Sequence, residues 1–179
     1  MAAAVVDATI AELVVAAQAG SHAAFTTLYG RFHRAVHAVA LARVGPADAA
    51  DVVQDVFARA WTRLDSVRDP AAFAGWLMTM ARNRAIDRAR SRAPDDAGAR
   101  ELAVAPAPTA EAAAALRAIR ALPEAYRETL LMRLVEGLSG PEIAERTGLT
   151  PASVRVNLHR GMTLLRERLA PPESTGGTP

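Results

Sequence analysis

A chain of 179 residues, 51% hydrophobic and 22% charged, with a formal net charge of +2, is sized for one large domain or two small ones. The absence of cysteine excludes disulfides and thiolate metal sites and fits a reducing, cytoplasmic setting. Asp7 and Glu12 interrupt the Ala/Val-rich start, no basic segment precedes it, and no apolar run approaches spanning length, so neither a signal peptide nor membrane insertion is expected.

Helical periodicity runs through the chain, and no segment sustains strand alternation. Thr9, with Glu12 three residues on, makes a capping box for a first helix ending near Gly20. A second helix opens after Ser21 and sets Phe25, Leu28, Tyr29, Phe32, Val36 and Val39 on one face until Gly45-Pro46 breaks it. The third, from about Ala47 to Leu64, is expected to bury Val52, Val53, Val56, Phe57, Ala60 and Trp61 and to present Asp48, Asp51, Gln54 and Asp55 elsewhere. Asp69-Pro70 caps a fourth, from Ala71 to about Arg92.

From Ala93 to about Thr109 the pattern collapses into Pro94, Pro106 and Pro108 with Asp95, Asp96 and Glu101, which reads as a flexible to semi-extended linker. Helices resume near Glu111–Ala121 and between Pro123 and Gly137, and the Pro/Gly/Ser/Thr-rich tail from Pro171 is expected to be disordered. Charge follows this division: residues 73–93 sum to +4, 94–115 to −3 and 116–170 to +3. Two positive blocks therefore flank an acidic connector.

Between Ser139 and Arg155 lies a helix-turn-helix pattern. Ser139 and Glu142 form a capping box, Gly148 suits the left-handed turn, Thr150 caps the next helix and Pro151 takes its first position. Ala144, Gly148 and Val154 stand where the unit needs a small contact residue, a turn glycine and a β-branched core residue. An ordinary helical hairpin fits the same spacing. On the second helix, Val154, Leu158, Gly161 and Leu165 form the packing side, opposite Ala152, Val156, His159 and Thr163 flanked by Arg155 and Arg160. That outer face suits thymine methyls and guanine edges.

The fourth helix changes character along its length. Phe73, Trp76, Leu77 and Met80 form an apolar stripe whose azimuth continues into Arg84, Arg88 and Arg92. Such a helix packs with its first half and offers arginine to a polyanion with its second. A solvated helix end whose basic groups suit the C-terminal dipole is the plainer reading.

The run from Asp48 through Gln54, Asp55 and Trp61 is similar to region 2.2 of bacterial sigma factors of the extracytoplasmic-function (ECF) group. Phe73 to Arg92, with Trp76-Leu77, Ala81, Asn83, Asp87 and Arg90, resembles regions 2.3 and 2.4, and Leu122-Pro123 to Leu169 resembles region 4. The resemblance implies an all-α protein of two small helical domains, a region 2 bundle and a region 4 helix-turn-helix, joined by the flexible acidic linker. Its expected parts are an N-terminal segment over 1–22, region 2 over 23–92, the linker over 93–110, region 4 over 111–170 and the tail over 171–179.

The implied function is a non-enzymatic initiation subunit that binds core RNA polymerase and directs it to promoters, in the cytoplasm and without cofactor or metal. Asp51, Gln54, Asp55 and Ala58 would dock on the clamp of the largest catalytic subunit, although by residue chemistry alone the two aspartates read as a solvated face. Arg68, Asn83, Arg84, Arg88 and Arg92 would capture the −10 element, and Ser153, Arg155, Val156, His159 and Arg160 would read the −35 element. An anti-sigma partner is implied as the regulator, and the acidic linker would thread toward the active-site cleft.

Family members often carry a basic-Ser-Arg run and then His-Arg-Ala-Arg. Here stand Arg155-Val156-Asn157 and His159-Arg160-Gly161-Met162, which points to a different −35 preference or weaker phosphate anchoring. The rival reading is a helix-turn-helix regulator with no polymerase role. That reading gives no purpose to the acidic third helix or the divided fourth one.

Overall fold

The computed structural model describes residues 8–91 and 109–170, and all regular secondary structure among them is helical. The first group comprises α1 (Ile10–Gln18), α2 (His22–Leu41), α3 (Pro46–Arg63) and α4 (Phe73–Ser91), with two 3₁₀ turns (Leu64–Ser66 and Pro70–Ala72) between α3 and α4. The second comprises α5 (Ala110–Arg120), α6 (Glu124–Leu134), α7 (Gly140–Thr147) and α8 (Pro151–Leu169). Arg92, the tail and all of the expected linker except Thr109 and Ala110 lie outside the described residues; Thr109 is already the N-cap of α5.

Local chemistry accounts for the helix ends. Thr9 and Ser139 each close a capping box, with Glu12 and Glu142 as the returning carboxylates. Ser21, Thr109 and Thr150 accept from backbone N–H groups at the starts of α2, α5 and α8. Gly148 ends α7 at φ 73°, a left-handed conformation that favours glycine. The Ser139 hydroxyl and backbone N–H hold the Glu142 carboxyl below its ordinary value. Its contribution is therefore complete above the ordinary carboxylate range and lost as pH falls through the lowered value. Replacing Ser139 by Ala should cost about 1 kcal/mol, read as a lower urea midpoint at constant slope.

In the first group Leu28, Phe32, Val36 and Val39 of α2 meet Val52, Val56 and Ala60 of α3 and Phe73, Leu77 and Met78 of α4, all buried. Leu13, Val14 and Ala17 of α1 belong to the same core, and the Gln18 amide donates to the carbonyls of Leu64 and Val67 at 3.0 and 2.9 Å. Three expectations need correction. Tyr29 is exposed, its ring lying edge-on to Phe57 and stacked on His33. Trp61 is half-buried, stacked on His22 at the margin of the bundle. Asp48 faces inward and is buried, because an arginine of α4 reaches it. The fourth helix also begins two residues later than expected, since Pro70–Ala72 forms a 3₁₀ turn.

The second group packs α8 across α6 and α7 through Val154, Leu165, Leu130, Leu131 and Ile143. It also rests on the first group: α6 and α7 contact α2, and α7 contacts α4. No described helix is long and apolar enough to cross a membrane.

Candidate nucleic-acid interface

The α8 face expected to meet duplex DNA is open. Ala152, Ser153, Arg155, Val156, His159, Arg160 and Thr163 are exposed, while Val154, Gly161 and Leu165 are buried against α6 and α7. Val156 is 44% exposed, an apolar side chain held in solvent between two arginines. The glycine at 161 has a packing reason: a Cβ there would stand 3.0 Å from Leu130 Cδ1 and 3.1 Å from Tyr126 Cβ. An alanine here would make Leu130 or Tyr126 of α6 give by a few tenths of an ångström.

At the other expected surface, α3 and α4 lock together through charge. Arg84 Nε donates to Asp55 Oδ2 at 2.9 Å, and its Nη2 adds a second bond to the same oxygen. Arg88 donates to Asp48 Oδ1 from Nε at 3.1 Å and Nη2 at 2.9 Å, and reaches Asp51 Oδ2 at 3.3 Å. The Asp48 hydrogen bond raises the Arg88 pKa above its ordinary value, so the guanidinium is firmly charged. Two arginines expected to capture the −10 element thus rest on two aspartates expected to dock on polymerase. Gln54, Ala58, Arg68 and Asn83 are exposed, and Arg68 lies on the segment between the two 3₁₀ turns, away from this ladder.

A third constellation joins the two groups. Glu128 of α6, 7% exposed at its side chain, takes Arg43 Nη1 at 2.9 Å and Arg82 Nη2 at 2.8 Å, with Arg82 Nε at 3.0 Å. The Glu128 hydrogen bond raises the Arg82 pKa above its ordinary value. Glu136 lies 2.6 Å from His37 Nδ1 and 3.8 Å from Arg34 Nε. Arg146 of α7 donates to the Arg31 carbonyl at 2.6 Å, with its guanidinium 5.7 Å from the Phe32 ring centre. Burial lowers the Arg146 pKa from its ordinary value.

Sequence reasoning missed this clamp, because its partners lie 46 to 115 residues apart. A signal existed. Glu128 sits three and four residues before the buried Leu131 and Met132, and Arg82 follows the buried Met78 by four, so both charges stand on apolar stripes.

Comparison with known proteins places two family descriptions on the chain: Sigma-70 region 2 on residues 28–94 and Sigma-70, region 4 on residues 112–165. "Probable RNA polymerase sigma factor RfaY" of Xanthomonas campestris pv. campestris is 34% identical over 178 residues, covering 91% of this chain. The chain spans 44% of the length of RfaY. The ECF RNA polymerase sigma factor SigW of Bacillus subtilis is 30% identical over 141 residues, covering 68% of this chain and 75% of SigW. Among solved structures, CnrH in complex with the cytosolic domain of CnrY aligns with a TM-score of 0.59 at 28% identity, covering 88% of this chain and 95% of CnrH.

Proposed function

The chain belongs to the ECF group of sigma-70 RNA polymerase sigma factors, which direct polymerase to promoters, and on that premise we propose how its residues divide the work. Region 4 reads the −35 element through Ser153, Arg155, Val156, His159 and Arg160. The observation that carries this assignment is the exposed outer face of α8, opposite the buried Val154, Gly161 and Leu165. Arg155 and Arg160 supply phosphate or guanine contacts, and Val156 supplies an apolar surface for a thymine methyl. Region 2 docks on the polymerase clamp through Asp51, Gln54, Asp55 and Ala58, and takes the −10 element through Arg68, Asn83, Arg84, Arg88 and Arg92. Extruding a base costs a few kcal/mol, so those arginines must return that energy in the open complex.

The domains follow the same division, with region 2 over 23–92 and region 4 over 111–170. The sigma-factor family is not one of enzymes, and we assign the chain no catalytic step. We place it in the cytoplasm, where its polymerase works. A protein partner of the kind that CnrY is to CnrH would hold it inactive.

Reconstitution with bacterial core polymerase on genomic promoter fragments tests the reading, with specific start sites as the expected product. Duplex binding without initiation would leave only the regulator. Within region 4, Arg155→Ala and Arg160→Ala should each weaken −35 duplex binding by about tenfold. For a phosphate contact the slope of log affinity against log salt should fall by about one, and for a guanine contact sequence preference should relax at one base pair.

A further inference from the structure

A groove of about 530 Å³ runs along the seam between the two helix groups, and its chemistry is unlike that of any surface assigned above. Its walls carry Arg43, Arg90, Arg120 and Arg127 against a single carboxylate, Glu124, and Ile86 and Ala89 of α4 contribute an apolar floor. Arg43 is compensated twice, by Glu124 and Glu128, but Arg120 and Arg127 make no ion pair with any described residue. Glu124 is already engaged by Arg43, and Arg90 makes no ion pair with any described residue.

Arg120 and Arg127 meet only backbone. Arg120 donates to the carbonyls of Leu41, at 2.7 Å, and Val44. Arg127 Nη1 donates to the carbonyls of Ala42, at 3.1 Å, and Arg120, at 3.2 Å. These acceptors include the free carbonyls at the end of α2, where the helix dipole amounts to about half an elementary charge. Half a charge does not balance two guanidiniums. Burial, with Arg127 beside it, lowers the Arg120 pKa from its ordinary value, as expected where positive charge is crowded away from water. The Arg127 Nε is buried and has no hydrogen-bond partner.

We propose that this groove binds a small polyphosphate-bearing ligand of nucleotide size, its phosphates on Arg90, Arg120 and Arg127 and its apolar part on Ile86 and Ala89. Arginine forks match phosphate oxygens in pairs, and the volume lies within the range of small-ligand sites. The turn after α2 and helix α4 form one side and α5 and α6 the other, so the ligand bridges the two groups and favours their packed arrangement. The inference stands apart from the promoter assignments, because none of those residues lines the groove.

The test titrates the full chain with sodium tripolyphosphate by calorimetry, alongside an oligothymidine at matched phosphate concentration. Saturable, one-to-one tripolyphosphate binding is expected, weakened about tenfold or more in R90A and in R120A. R59A, on the exposed side of α3, should bind as the parent does. Arg90 is exposed at the end of α4, so R90A keeps the test valid even if R120A loosens the seam. The chain has no native cysteine, so Thr62→Cys and Glu167→Cys accept a dye pair, and tripolyphosphate should raise the high-transfer fraction. Absence of tripolyphosphate binding, equal loss in R59A, or oligothymidine binding alone through these arginines would overturn the proposal.

Discussion

Glu128→Gln should part the two helix groups. The carboxylate is 7% exposed at its side chain and accepts from both Arg43 and Arg82, so the neutral amide leaves two guanidiniums facing a partner without charge. Breaking a buried pair costs about 3–5 kcal/mol. Arg43 keeps Glu124 and Arg82 is about a third exposed, so the cost here falls nearer 2–3 kcal/mol, roughly a 30- to 160-fold shift in the docking equilibrium. The apolar cluster runs continuously through both groups, so the loss is read as a shift in interdomain distance and checked against the melting temperature.

The shift matters because promoter elements at −10 and −35 lie about 25 base pairs apart, about 85 Å at 3.4 Å per pair. A 20-residue helix is about 30 Å long, and the packed groups are built from helices of that size or less. On the proposed assignments, helices α4 and α8 would reach both elements once the groups separate. Energy transfer between dyes at Thr62→Cys and Glu167→Cys should fall in Glu128→Gln and recover partly in Glu128→Asp. An unchanged distance distribution in Glu128→Gln would mean that the apolar contacts alone hold the seam.

Most of the scaffold was legible because helix ends are set locally. Thr9, Ser21, Ser139 and Thr150 act within three residues of themselves, and the Gly148 turn is set by its own backbone. Periodicity located the stripes but not their width. Tyr29 follows Phe25 by four and precedes Phe32 by three, yet it lies at the exposed edge of the α2 stripe. Charge was the least legible property, because the partner decides whether an acid is buried. Asp48 is expected away from the buried face, yet it is buried because Arg88, 40 residues away, reaches it. The α8 face was legible as a face, while the reason for Gly161 needed Tyr126 and Leu130 of another helix.

Asp55→Asn separates two roles proposed for one carboxylate. Asp55 is assigned to polymerase docking, and it also holds Arg84, which is assigned to the −10 element. Its side chain is 46% exposed and that of Arg84 26%, so this half-exposed pair contributes about 1 kcal/mol and the substitution should lower the melting temperature only slightly. A charged contact across a protein interface is worth more, about 2 kcal/mol or above when one partner is removed. Docking through Asp55 therefore predicts at least a tenfold loss of core polymerase affinity in a fully folded variant. Freed from its carboxylate, Arg84 should at the same time let the isolated chain bind single-stranded −10 DNA a few-fold more tightly, an effect that Arg84→Ala abolishes. The opposite pattern, with intact polymerase affinity and impaired open-complex formation, would show that Asp55 positions Arg84 and does not touch the clamp. Both outcomes are read on one variant, because its small folding cost masks neither.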